Sequence, residues 1–181
     1  MASTGPRRGH RPLLPLALLV ASGALFAVPA SVDAQRARWA AGLGVGGGLS
    51  LGGGQGGPAM GMSPVFLETA VRHWTDEQPG VLWGGALRAE LLGQVSAGGV
   101  ARVELRKPLG SLELRPGVGL PFVLVPESMF GIETSAVLRI PLGDFGLTVT
   151  LLVDLFLFGT DVPADSAVVM LNGLVGVDFE L

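Results

Sequence analysis

Cysteine is absent from this chain, which excludes a disulfide scaffold and any thiolate chemistry. Tyrosine is absent as well, leaving three tryptophans and eight phenylalanines as the whole aromatic complement. Of the two histidines, only His73 lies beyond the first few dozen residues, too few for a histidine zinc site. Positive charge is scarce: 12 Lys and Arg stand against 15 Asp and Glu, with none of the basic stripe that a nucleic-acid partner requires. Beyond residue 34 no apolar run approaches the ~20 residues that a spanning helix needs.

The first 34 residues read as a signal peptide. Arg7, Arg8 and Arg11 form a basic head, Leu13 to Val28 an apolar stretch, and Val32-Asp33-Ala34 a small-residue cleavage site. Pro15 and the shortness of the run argue against a membrane anchor. Residues 35–181 are then a single domain, with nine cationic against fourteen anionic side chains.

In that domain a period of two recurs between glycine- and proline-rich turns. It is cleanest in 169–181, where Val169, Leu171, Val175, Val177, Phe179 and Leu181 share one face and Asn172, Asp178 and Glu180 the other. An apolar stripe that runs to the last residue is unusual where a terminus frays into water. Seven further segments divide in the same way: 38–51, 64–74, 82–92, 98–107, 111–121, 129–140 and 145–158. Eight antiparallel strands are therefore expected, in up-and-down order. The connections at 75–80, 108–111 and 141–144 are tight. Those around 95–97, 122–127 and 159–166 are longer, and glycine-rich 52–58 reads as a flexible loop.

Which face points inward follows from volume. Eight strands enclose only enough room for side chains. A full set of Leu and Val would overfill that space, whereas glycine and small residues with paired charges fit it. The apolar face therefore belongs outside, in lipid, and the strands must close because an open edge in hydrocarbon leaves backbone groups unpaired. The inward face then carries Glu68, Arg72, Arg88, Glu90, Arg102, Glu104, Arg106, Glu113, Arg115, Glu133, Arg139, Asp154, Asp178 and Glu180 as a lumen charge network. Opposite charges on neighbouring strands suggest a register. Arg106 would face Glu113, Arg102 would face Glu90, and a row Glu68–Arg88–Glu104–Arg115–Glu133 would alternate in sign. At the seam, Arg38 would approach Asp178 or Glu180.

On these features the chain resembles the small eight-stranded outer-membrane β-barrel proteins of Gram-negative bacteria, the OmpA/OmpX-like group. Gly176, Phe179 and Leu181 match the group's C-terminal insertion signal, which implies handling by the barrel-assembly machinery. The match has Leu181 in place of the usual aromatic and Leu174 where a polar residue is common. The resemblance also implies aromatic girdles, here drawn from Trp39, Trp74, Trp83, Phe66, Phe122, Phe130, Phe145 and Phe158.

Sharper chemical motifs fail on context. Gly42-x-Gly44-x-x-Gly47 has the letters of a dinucleotide fingerprint but no helix after it, and its glycines instead thin the lumen wall. His73 sits next to Trp74 at a strand end with no serine beside it, so no catalytic set is expected. Neither metal nor cofactor is implied. The function read from the sequence is a structural or interaction barrel in the outer membrane, its partner the surrounding lipid. The alternatives are a narrow channel for small solutes, a soluble secreted carrier barrel and an enzyme acting on lipid A.

Overall fold

The computed structural model describes residues 38–54, 57–74, 80–91, 96–126, 128–160, 162 and 166–181. The expected signal peptide lies outside them. Every described element is a strand: β1 (Arg38–Gly54), β2 (Gly57–Trp74), β3 (Val81–Glu90), β4 (Ala97–Leu105), β5 (Lys107–Leu109), β6 (Leu112–Val125), β7 (Met129–Leu142), β8 (Phe145–Gly159) and β9 (Val168–Glu180). The short β5 continues β4 beyond Arg106, and both pair with β6, so the two form one stave. Eight staves, all antiparallel, run β4-β3-β2-β1-β9-β8-β7-β6 and close through β4–β6. The expected closed eight-stranded barrel is present.

Closure extends to the chain end. Ala40 pairs with Glu180, Gly42 with Asp178 and Gly52 with Val168, and the Leu181 amide donates to the Trp39 carbonyl at 2.8 Å. Gly176 stands where a Cβ would come within 2.2 Å of the Leu43 carbonyl oxygen, so the seam itself requires glycine there. Two tight hairpins lie at the end where β1 starts and β9 finishes, which gives the barrel its termini end. In each, a glycine takes the left-handed backbone that two-residue turns demand: Gly110 (φ 65°) and Gly143 (φ 79°). At the opposite end the glycine-rich segment departs from expectation. Instead of looping out, it carries the ladder on to Gly54↔Gly57, because glycine accepts extended backbone and loses no ladder hydrogen bond.

Alternation of burial follows the expected division of faces. On β8, Leu147, Val149, Leu151 and Val153 are exposed outward while Thr150, Leu152, Asp154 and Phe156 are buried inward. Thirty-four large apolar side chains are exposed among the described residues, and the buried set contains nine charged ones. This is the reverse of a protein that packs its core against water. Trp39 and Trp83 flank His73 on the outer surface at the termini end, with ring centroids 4.8 and 5.1 Å from the imidazole. Phe145 and Phe179 lie together nearby in the ladder. Phe130 and Phe158 are exposed toward the other end. Two expected girdle members are not there: Phe66 and Trp74 are buried, because they share the parity of Glu68 and Arg72 and so point inward.

Candidate functional site

The lumen is the candidate site, and alternation builds it: each strand delivers every second residue to the axis. All fourteen charged residues of the expected network lie on the inward face. Glu68, Arg102, Glu104, Glu113, Arg115, Glu133, Arg139, Asp154 and Asp178 are buried, and Arg72, Arg88, Glu90, Arg106 and Glu180 are partly so. They gather into two layers.

In the layer near the termini, six groups form a closed ring of alternating sign. Arg106 meets Glu113 at 2.5 Å, Glu113 pairs with Arg115, and Arg115 reaches Asp178 at 2.8 Å. Arg139 takes the other Asp178 oxygen at 2.6 Å and Glu180 at 3.2 Å, and Glu180 returns to Arg106 at 3.2 Å. The Arg106 guanidinium also stands over the buried Trp74 ring, 5.6 Å from its centroid.

The other layer is organised around one side chain. Arg88 donates through Nε to Glu68 (2.9 Å), through Nη2 to Glu133, and through Nη1 to Asp154 at 3.3 and 3.4 Å. Arg102 grips both oxygens of Glu68 at 3.2 Å and one of Glu133 at 2.6 Å, then continues to Glu104 (3.6 Å), which Arg72 approaches at 3.1 Å. On the far side Asn172 donates to Asp154 (3.3 Å) and accepts from Ser63. A buried apolar cluster of Phe66, Leu152 and Leu174 also occupies the interior. The sequence reading left Ser63, Phe66, Leu152 and Asn172 out of the site. Parity with charged residues two or six positions away could have flagged Phe66, Leu152 and Asn172, but not Ser63, which turns inward only because the β1–β2 ladder shifts register between Gly46 and Gly48.

The expected register is corrected at most strands. Glu68 does pair with Arg88. Arg88, however, pairs on its other side with Gly98 rather than Glu104, and Arg102 with Gly84 and Gly119 rather than Glu90. Glu104 pairs with Gly117 rather than Arg115, and Arg115 with Val137 rather than Glu133. Leu109 pairs with Leu112, which moves Pro108 opposite Glu113. Arg106 therefore reaches Glu113 diagonally rather than from the directly opposite position.

The physical reason is volume. Asp178 lies between Gly42 and Gly146, and Glu68 is opposite Gly44. A Cβ on Gly146 would stand 2.5 Å from Arg139 Nε, and one on Gly117 2.9 Å from Glu104 Cγ. Long charged side chains need bare backbone beside them, and the narrow lumen lets them find counter-charges across the barrel rather than across the strand. One consequence is a like-charge pair: Glu133 lies directly opposite Asp154, and Arg88 between them holds both. Arg38 pairs through its backbone with Trp74 of β2 rather than with β9, and its side chain lies outside the described residues. Asp178 is held instead by Arg115 and Arg139.

The fold is similar to that of a solved structure, Neisserial surface protein A (NspA). Identity is 9%, 79% of this chain and 97% of that chain are covered, and the TM-score is 0.50. At that identity the likeness is one of fold. No family model matches the chain, and no curated protein matches its sequence.

Space inside is limited. Beside Arg72 and Arg102, and beside Gly42 and Asp178, the voids are about 10 and 20 Å³. Each holds one or two waters at most, on the order of 10–15 Å³ being needed per water. A larger cavity opens at the end away from the termini. Among the described residues no three His, Asp or Glu side chains converge as a metal site. Gly176 belongs to the seam, and Phe179 and Leu181 point outward from β9 and the residue after it.

Proposed function

We propose that this protein is a small outer-membrane barrel of the OmpA/OmpX-like kind, structural or interactive in role, whose lumen is closed by its two charge layers. The observation that carries the reading is the inversion of the barrel: apolar side chains outward on every stave, buried ion pairs inward. In water that exterior would aggregate, whereas in hydrocarbon it is the required surface, and a closed barrel satisfies every backbone group there. The same exterior disfavours a soluble carrier. Trp39, His73, Trp83, Phe145 and Phe179 form the interfacial girdle at the periplasmic end in this reading. Residues 1–34 direct export and are removed, and Gly176, Phe179 and Leu181 serve the barrel-assembly machinery. Catalysis is not part of the proposal. The described contacts of His73 are two indole rings, and a general base needs a partner that orients it.

Fractionation, gel mobility, bilayer conductance and carbonate extraction test this. The protein should fractionate with outer membranes and migrate differently on gels before and after boiling. In planar bilayers the native barrel should carry no resolvable current, while Arg88→Ala and Arg115→Ala should open measurable conductance. Steady conductance by the native barrel would favour the narrow-channel alternative. Release by carbonate extraction would favour a soluble barrel.

A further inference from the structure

The interior is unfilled at the end of the barrel away from the termini. A cavity of about 90 Å³ stands there, with Arg88, Asp154 and Asn172 as its floor and Phe66, Phe156 and Met129 among its walls. It is smaller than the ~150 Å³ that accommodates benzene, and suits roughly four or five non-hydrogen atoms. Polar groups gathered at one side of an apolar hollow are the usual design of a small-molecule site.

The floor specifies the sign of the ligand. The residues around the cavity include one arginine against two carboxylates, Glu90 and Asp154, and that arginine is already engaged by Glu68 and Glu133. Asp154 is almost wholly buried, yet its hydrogen bonds from Arg88 and Asn172 all span 3.3–3.4 Å. Charge-assisted bonds ordinarily close to ~2.7–2.9 Å. Asp154 is thus a buried carboxylate whose hydrogen bonds are all long, and it borders the cavity. The walls specify the rest. Among the described residues no three carboxylates converge here to hold calcium or magnesium, whereas the phenyl rings and the Met129 thioether suit an alkyl chain and tolerate a cation near an aromatic face.

We propose that this cavity binds a short-chain primary organic ammonium, its head on Asp154 and its alkyl part against Phe156 and Met129. The test is an NMR titration of the full chain, folded in detergent micelles, with n-propylammonium chloride. Parallel titrations use 1-propanol and sodium chloride at matched concentration. Saturable shifts at Asp154, Asn172, Met129 and Phe156 are expected with propylammonium. Propanol should bind at least about tenfold more weakly, a difference of about 1.4 kcal/mol. Asp154→Asn should erase that preference, and Met170→Trp, which fills the cavity from another wall, should abolish both titrations. Equal binding of propanol, the same shifts with sodium chloride, or no saturable shifts at these residues would overturn the proposal. Should Asp154→Asn fail to fold, the propanol comparison and Met170→Trp decide it.

Discussion

The two charge layers use the same side chains and are wired differently. In the layer near the termini each of six groups touches two partners of opposite sign, so deleting any one leaves no neighbour without a counter-charge. In the other layer, among the described residues, Arg88 alone joins Glu68, Glu133 and Asp154. Arg102 shares the first two, whereas Asp154 is held by Arg88. A ring spreads its stabilisation over many contacts, whereas a hub concentrates it in one residue. The comparison therefore predicts that one substitution, Arg→Met, will have unequal effects at three arginines.

The largest effect belongs to Arg88. Methionine there leaves Asp154, among the described contacts, with Asn172 and sets it directly opposite Glu133 with the Arg88 cation removed from between them. Leaving buried charge uncompensated costs about 3–5 kcal/mol. Urea unfolding in phospholipid vesicles, followed by tryptophan fluorescence, should show a loss in that range. A loss below that at a ring arginine would remove the distinction between hub and ring.

Much of this arrangement was legible in the sequence, and the reason it stopped short is physical. Alternation alone identifies eight staves and their faces, because an apolar exterior and a narrow charged lumen punish any slip in parity. The fourteen charges fall on the inward face for the same reason. What alternation cannot supply is register. Matching opposite charges across neighbouring strands gave Glu68↔Arg88 correctly and failed at Arg88, Arg102, Glu104 and Arg115, where the directly opposite residue on at least one side is glycine or valine. In an open sheet the nearest counter-charge is the adjacent strand. In a lumen this narrow it is often the opposite wall, as with Arg88 to Asp154 or Arg115 to Asp178. Had each long charged residue been placed against a glycine instead, Glu104↔Gly117 and Asp178↔Gly146 would have followed.

Arg139 should give the intermediate effect. Its loss leaves Asp178 with Arg115 at 2.8 Å and Glu180 with Arg106 at 3.2 Å, so the ring opens into a chain in which every group keeps a partner. The expected destabilisation is about 1.5–3 kcal/mol, the range for a hydrogen bond to a charged group. Gly146→Val offers an independent route to the same defect, since its side chain would occupy the space of the Arg139 guanidinium. A double substitution should then cost little more than either change alone, because both remove one set of contacts. Full additivity would show that Gly146 acts on something other than Arg139.

Arg106 should matter least, although it has as many ring contacts as Arg139. Its side chain keeps 28% of its surface exposed and its partner Glu180 keeps 27%, whereas Arg139 keeps 2%. Water at the barrel end already screens the Arg106–Glu180 pair, and removing an exposed ion pair typically costs ~0–1 kcal/mol. Glu113, the buried partner, retains Arg115, so no carboxylate is stranded. Arg106→Met also keeps an apolar stem against Trp74. The same unfolding assay should therefore place Arg106→Met within about 1 kcal/mol of the native barrel. The small difference that remains should shrink as salt is raised, while those at Arg88 and Arg139 should not. If Arg106→Met proved as damaging as Arg139→Met, burial would not be what grades the ring, and its closure, six contacts acting as one unit, would have to be.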